Sequence, residues 1–190
     1  MASSLNQTLF LSINQSAGQN PSFDIIIASF AEYAPVFYAL VILWLWFSAK
    51  NNDEQRHAAF YAGYSAVLGL SINLLITLFY VHPRPFMDHL GIQLIPHPSE
   101  SSFPSDHTTL MVSMALSLMF SKITRKLGGV LVCLGLVGGL SRVYCGLHYP
   151  FDIVGSVFVS LLASFIVYQF RGFLSILNQR IFKHYDALFS

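Results

Sequence analysis

The chain has 190 residues, of which 54% are hydrophobic and only 10% are charged, and its mean hydropathy is +0.58. Because an ordinary soluble domain carries about 25% charged residues, this composition excludes that class and indicates an integral membrane protein. A formal net charge of +1 with no basic patch gives no reason to expect a nucleic-acid partner.

The amino-terminal part of the chain predicts one surface helix and one membrane span. Residues 1–22 are polar and uncharged, and we expect them to form a short interfacial helix. Residues 23–49 are apolar except for Asp24 and Glu32, and this run is long enough to cross a hydrocarbon core of about 30 Å. A charged connector is predicted at residues 50–57.

A second span is predicted over residues 58–81, which carry no formal charge. Small and polar side chains recur on one face of this helix and lead toward Arg84: Ser65, Gly69, Asn73 and Thr77. The stripe either leads to a polar site or is only a seam for helix packing. The following loop, residues 86–102, is the longest connection between spans, and long loops are often functional.

The third span is predicted to be short. From Thr108 to Ser121 it has fourteen residues, or about 21 Å of helix. We therefore expect the helix to begin at Ser105 or Asp106 and the preceding loop to dip into the membrane.

The fourth and fifth spans, residues 127–147 and 150–170, carry faces of small residues that favour close helix packing. Gly135 and Gly139 give the GxxxG spacing in the fourth span, and serines recur every four residues in the fifth: Ser156, Ser160 and Ser164. The two cysteines, Cys133 and Cys145, are expected to be packing residues rather than a disulfide.

The basic and amphipathic tail, residues 171–190, is expected to lie on the bilayer surface. The sequence thus predicts an all-α fold: a polytopic membrane helical bundle of about five transmembrane helices, with interfacial segments at both ends. We expect a single domain over residues 1–190, with its core at 23–170.

Eight of the ten Lys and Arg residues fall on one side of a five-span arrangement: Lys50, Arg56, Lys122, Arg125, Lys126, Arg171, Arg180 and Lys183. The positive-inside rule makes that side cytoplasmic, with the N-terminus outside and the C-terminus inside. The remaining two, Arg84 and Arg142, lie at the outer ends of spans, each beside a proline or histidine cluster.

Five spans would bring three outer helix ends together and gather six polar side chains: Arg84, Ser105, His107, Arg142, His148 and Asp152. Guanidiniums bind phosphate oxygens bidentately, a helix N-terminus offers free N–H groups, and two histidines can divide nucleophile and general acid between them. Asp152 lies close enough along the chain to accept a hydrogen bond from one imidazole nitrogen of His148 and leave the other nitrogen basic. These groups match phosphoryl transfer without a metal. The alternative is that each is an independent residue at the membrane interface.

Metal binding is the rival chemistry, because histidines crowd the outer side: His82, His89, His97, His107 and His148. None forms an HxxxH pair, carboxylates are few there, and two arginines would repel a cation. We therefore predict no metal and no other cofactor.

At these residues the sequence resembles the type 2 phosphatidic acid phosphatase superfamily, whose motifs are KxxxxxxRP, PSGH and SRxxxxxHxxxD. Here they read Thr77 through Arg84-Pro85, Pro104-Ser105-Asp106-His107, and Ser141-Arg142 through His148 to Asp152, so the resemblance covers residues 77–152. The resemblance implies that His148 is the nucleophile and forms a phosphohistidine, with Asp152 orienting it. It also implies that His107 protonates the leaving oxygen and later activates water, while Arg84, Arg142 and Ser105 hold the phosphoryl oxygens.

Two positions depart from the superfamily motifs. Thr77 replaces the motif lysine and Asp106 replaces the motif glycine; both are expected beside the phosphate, although Asp106 could instead cap the third helix. With these two residues at the departing positions, the sequence resembles the BcrC-type undecaprenyl-diphosphatases. That narrower resemblance implies removal of the terminal phosphate from undecaprenyl diphosphate at the outer face of the bacterial plasma membrane, which recycles the carrier lipid and confers bacitracin resistance.

The roles of Glu32 and Ser141 stay open, and two other functions are considered. Glu32, about 13 Å into the first span, is hypothesised to lie behind the arginines or to line a polyprenyl groove, and is equally well read as an interhelical carboxyl. Ser141 is a second supporting residue. The alternative substrates are phosphatidic acid and phosphatidylglycerophosphate. A non-enzymatic transporter component is disfavoured because the span interiors are nearly uncharged.

Overall fold

The computed structural model describes residues 4–49 and 52–189, and within them the chain forms seven α-helices: α1 (Ser4–Asn14), α2 (Pro21–Ser48), α3 (Asp53–Phe79), α4 (Asp106–Met119), α5 (Arg125–Tyr144), α6 (Pro150–Gln169) and α7 (Arg171–Phe189). A short 3₁₀ turn, Pro85–Asp88, lies between α3 and α4. The described residues contain no strand, so the predicted all-α class is confirmed.

Four helices, α2, α3, α5 and α6, are long and apolar enough to cross a membrane, and the described chain is a multi-pass membrane bundle. The predicted third span is α4, which has only 14 residues and therefore measures about 21 Å. It is the central helix of the bundle, since it packs against α3, α5 and α6.

Helix capping moves the predicted start of the second span. α3 begins at Asp53 rather than at Ala58, because the Asn52 side chain accepts a hydrogen bond of 3.1 Å from Gln55 N and caps the helix. Most of the predicted connector is therefore helical. Its residues Lys50 and Asn51 lie outside the described residues, as do residues 1–3 and Ser190 of the predicted terminal segments.

The predicted small-residue faces are sites of close helix contact. A Cβ atom on Gly139 would come within 2.8 Å of Ile153 Cγ2, and one on Gly69 within 2.9 Å of Thr109 Cγ2. On α6, Ser160 Oγ donates to Thr109 O at 3.2 Å. These contacts bring α3, α5 and α6 tightly around α4, which fixes where its N-terminus lies.

Helix α1 is fixed to the loop that precedes α4. The buried Asn14 side chain donates to Tyr144 O at 2.7 Å and to Ile92 O at 2.9 Å, and it accepts from Ile92 N at 2.7 Å. One amide thus joins α1, the outer loop and the end of α5. Both cysteines are free thiols, as predicted. Cys145 is buried, whereas Cys133 is exposed, so the predicted packing role is wrong for Cys133.

Candidate active site

A cavity of about 470 Å³ lies where the C-terminal part of α3, the loop before α4, the N-terminus of α4 and the α5–α6 connection meet. Thirteen residues line it: Leu70, Asn73, Leu74, Thr77, Arg84, His97, Glu100, Ser101, Pro104, Asp106, His107, Arg142 and His148. All three predicted motif segments therefore contribute side chains to one cavity.

His148 is held in one tautomer by its two ring partners. Its Nε2 lies 3.2 Å from Arg84 Nη1, and its Nδ1 lies 2.8 Å from Ser102 O. Because a guanidinium can only donate and a carbonyl can only accept, Nε2 carries the lone pair and Nδ1 carries the proton. The nitrogen that faces the cavity is therefore the nucleophilic one.

The surroundings of His148 favour its neutral form. The side chain is 2% exposed and lies in the connection between α5 and α6. Burial, reinforced by the positive charges of Arg142 and Arg84, lowers the pKa of His148 well below its ordinary value. A neutral imidazole is the form that can attack phosphorus.

Asp152 lies behind the imidazole, in the first turn of α6. Its Oδ2 accepts a 2.8 Å hydrogen bond from Tyr149 N and lies 3.5 Å from His148 Nδ1, whereas the Ser102 carbonyl is closer to that nitrogen. The carboxylate thus caps its own helix and faces the imidazole at the same time. The nearest acceptor for His148 Nδ1–H is a backbone carbonyl that sequence reasoning missed, since every residue type carries one.

The two arginines reach the cavity from different elements, and both are almost fully buried. Arg84 Nη1 also donates to Leu147 O at 3.1 Å, and Arg142 Nη1 donates to Ala31 O at 3.3 Å. Burial lowers the pKa of Arg84, but an arginine stays charged at neutral pH. The Nε–H groups of both have no protein partner, which leaves them able to donate to an anion.

The N-terminus of α4 brings Asp106 and His107 to the cavity wall, whereas Ser105 is completely buried and does not line the cavity. Ser105 is the N-cap, and its hydroxyl accepts from Thr108 N at 3.5 Å. The prediction that Asp106 might cap this helix is therefore wrong: its Oδ1 accepts a 2.7 Å hydrogen bond from Asn73 Nδ2 on α3. The helix begins at Asp106, within the predicted range, and it presents its first N–H groups at the cavity.

The stripe of small and polar residues on α3 both packs against neighbouring helices and leads to the cavity. Ser65 and Gly69 are buried and lie in the packing seam. Asn73 and Thr77 line the cavity, and Asn73 also donates to Thr109 Oγ1 at 3.0 Å. The Thr77 hydroxyl donates to Leu74 O of its own helix at 2.8 Å.

The two supporting residues differ in position. Glu32 Oε2 lies 3.9 Å from Arg142 Nη1, and its side chain is 45% exposed, so it lies behind an arginine as hypothesised and does not line the cavity. Ser141 Oγ donates to Val137 O within α5 at 2.9 Å and does not line it either.

Loop residues that the motifs do not include complete the cavity. His97 and Glu100 line it, and burial lowers the pKa of His97. Two acidic side chains, Glu100 and Asp106, are exposed, whereas the guanidiniums are buried, so the positive charge lies at the base of the cavity. Within residues 4–49 and 52–189, no group of three or more His, Cys, Asp or Glu side chains is arranged to hold a metal ion.

Similarity to known proteins agrees with this arrangement. Residues 58–175 match the PAP2 superfamily. The chain is 38% identical to the undecaprenyl-diphosphatase BcrC of Bacillus subtilis, over 97% of this chain and 93% of that one. It is 30% identical to the bacitracin transport permease protein BcrC of Bacillus licheniformis, over 94% of this chain and 87% of that one.

A solved structure supports the fold. The crystal structure of Aquifex aeolicus LpxE superposes with a TM-score of 0.70 at 23% identity, covering 87% of this chain and 96% of that one. Because the superfamily match includes all three motifs, and the curated relatives align along nearly the whole chain, the protein belongs to the PAP2 superfamily of phosphatases.

Proposed function

We propose that the protein removes the terminal phosphate from undecaprenyl diphosphate, giving undecaprenyl phosphate and inorganic phosphate. The name of the B. subtilis relative supports this substrate. The observation that carries the reaction type is the buried, neutral His148, whose unprotonated Nε2 lies 3.2 Å from Arg84 Nη1 in a cavity that Arg142 and His107 also line.

The reaction proceeds through two displacements at phosphorus. His148 Nε2 attacks the terminal phosphorus, the N–P bond forms, and the P–O bond to undecaprenyl phosphate breaks. His107 donates a proton to the leaving oxygen and then accepts one from the water that attacks the phosphohistidine. The water oxygen ends on phosphate, and His148 regains its lone pair.

The buried guanidiniums stabilise the charge on the equatorial oxygens during both displacements. Arg84 approaches from the segment after α3 and Arg142 from α5, and the first N–H groups of α4 provide further donors. Ser105 holds this helix end, and Asn73 keeps Asp106 to one side. No step in this scheme requires a metal ion.

One wall of the cavity suits a lipid substrate. Leu70 and Leu74 of α3 line it, and Leu74 is 63% exposed on the membrane-facing side of the bundle. The apolar wall is therefore continuous with the lipid-facing surface, so a polyprenyl tail can stay in the bilayer while its headgroup reaches the arginines.

We place the site at the extracytoplasmic face of the bacterial plasma membrane, with the N-terminus outside and the C-terminus in the cytoplasm. The basic residues at the opposite end of the bundle support this orientation. In that location the reaction would return the carrier lipid to cell-wall synthesis. It would also confer bacitracin resistance, by removing the diphosphate on the outer leaflet.

Transport is the second candidate, because the B. licheniformis relative is named a transport permease. The location of the buried charges in the described spans argues against transport, since Asp24, Arg142 and Asp152 all lie at helix ends on the cavity side of the bundle. A translocation path would require charged groups along the interior of the spans.

Phosphate release from purified protein in detergent tests the proposal. Undecaprenyl diphosphate and phosphatidic acid are compared at equal concentration with a chelator present, and His148→Ala is the control for contaminating phosphatases. We expect chelator-resistant release that is faster from undecaprenyl diphosphate. Faster release from phosphatidic acid would overturn the proposed substrate. Release from the wild type that only equals release from His148→Ala would overturn the proposal that the protein is a phosphatase.

A further inference from the structure

His82 is a buried histidine to which the reaction scheme gives no role. It lies two residues before Arg84, in the segment between α3 and the 3₁₀ turn, and is 6% exposed. Its ring packs edge-on against Tyr149, with centroids 5.3 Å apart, and is stacked with Tyr80 at 6.1 Å. It does not line the cavity, so it does not touch a substrate there.

Two hydrogen bonds join His82 to Ser102, the residue whose carbonyl accepts from His148. Ser102 N donates to His82 O at 2.8 Å, and His82 Nδ1 lies 2.8 Å from Ser102 Oγ. Ser102 is completely buried. The position of its carbonyl, and with it the tautomer of His148, therefore depends on His82.

The same nitrogen of His82 faces the carboxylate behind His148. Nδ1 lies 3.7 Å from Asp152 Oδ1, while Asp152 Oδ2 lies 3.5 Å from His148 Nδ1. The two carboxylate oxygens thus face two different imidazoles. Ser102 Oγ can donate to Pro83 O at 3.3 Å, so it is free to accept from His82. Both neighbours of His82 Nδ1 are then acceptors, which assigns the proton to that nitrogen.

We propose that His82 is a positioning residue for the nucleophile. Its Nδ1–H holds the Ser102 hydroxyl and faces Asp152 Oδ1. The other acceptors of the same two residues, the Ser102 carbonyl and Asp152 Oδ2, in turn keep the proton of His148 on Nδ1 and the lone pair on Nε2. The inference deepens the proposed function and rests on it for the role of His148. An outer hydrogen-bond partner of a functional histidine is typically worth about 10–100-fold.

Three substitutions separate this role from packing. His82→Asn keeps an N–H near the position of Nδ1, His82→Gln moves it toward that of Nε2, and His82→Leu keeps volume without a donor. His89→Asn is the control, because His89 is exposed on the same outer loop and has a φ of 55°, which asparagine tolerates.

Kinetics are measured on the full-length protein with whichever lipid phosphate the wild type hydrolyses, and melting temperatures are recorded in parallel. We expect His82→Asn and the control to retain kcat within about threefold, and His82→Leu and His82→Gln to lower it at least about tenfold with unchanged KM. A packing role would instead favour the leucine variant. If His82→Leu fails to fold, the difference in kcat between His82→Asn and His82→Gln tests the positioning role.

A second readout follows the tautomer of His148 directly. In ¹⁵N spectra of histidine-labelled protein, we expect His148 to keep its proton on Nδ1 in the wild type and in His82→Asn, and to populate the other tautomer in His82→Gln. Equal kcat for the asparagine and glutamine variants, or an unchanged tautomer in both, would overturn the proposal. Failure to hydrolyse undecaprenyl diphosphate would overturn only the proposed substrate.

Discussion

Several buried polar residues around the cavity have more than one partner, and Asp152 is the clearest case. Its carboxylate accepts from the Tyr149 backbone and faces His148 and His82. Sequence spacing alone indicated the pairing with His148. It could not indicate that the closest acceptor of Nδ1–H is the carbonyl of Ser102, 46 residues earlier in the chain.

Replacing Asp152 by asparagine tests the carboxylate without removing the helix cap. The amide oxygen can still accept from Tyr149 N, whereas the amide nitrogen would place a donor opposite one of the two histidine Nδ1–H groups. We expect kcat to fall on the order of 10²–10⁴-fold and the melting temperature to change little. Wild-type turnover in Asp152→Asn would contradict the orienting role; His148→Ala gives the level without a nucleophile.

The charge state of His148 is a second prediction at this scale. Because its pKa is lowered, protonation requires more acid than for a free imidazole, so the ring stays neutral as the pH falls through about 6.5. We expect its ¹⁵N signals in substrate-free protein to show the neutral ring at pH 5.5. The urea-unfolded chain, whose histidines titrate ordinarily, is the reference, and a midpoint near 6.5 in the folded protein would contradict the prediction.

Helix packing places these residues, and the glycines of α5 offer a matched pair to test it. A Cβ on Gly139 would come within 2.8 Å of Ile153 and 3.0 Å of Thr108, whereas one on Gly129 would meet nothing within 4 Å. Overpacking typically costs about 1–3 kcal/mol, and alanine at an open helical position is more stable than glycine by about 0.5–1 kcal/mol.

We therefore expect Gly139→Ala to lower both the melting temperature and phosphate release, because Thr108 lies in the first turn of α4 beside His107. Gly129→Ala should match or exceed the wild type in stability and retain its activity. Thermal unfolding in detergent and phosphate release are measured on both. Equal behaviour of the two variants would show that the close contact at Gly139 does not position α4.

Sequence periodicity located the helices but not all of their ends. The apolar runs identified α2, α3, α5 and α6, since length and hydropathy are properties of the chain itself. The start of α3 was placed too late because the charged residues 53–57 suggested a loop, although Asn52 caps a helix there. Loop residues such as His97 and Glu100 line the cavity because of the tertiary fold, so their position could not be predicted from local sequence patterns.

For the whole molecule, the outer and inner ends of the bundle can be distinguished chemically. In a variant without Cys133 and Cys145, a cysteine is placed either at exposed Ser99, beside the cavity, or at exposed Lys122, in the basic turn after α4. We expect a membrane-impermeant maleimide to label Ser99→Cys in intact bacterial cells. Lys122→Cys should react only after the membrane is permeabilised, and the reverse pattern would contradict the proposed orientation.

The contact between Arg84 Nη1 and His148 Nε2 determines when the imidazole is available for attack. The guanidinium occupies the lone pair until phosphate oxygens compete for the same hydrogens. If the proposed function holds, a phosphate headgroup that enters the cavity draws the guanidinium away and frees the imidazole to attack, whereas a headgroup without phosphate does not.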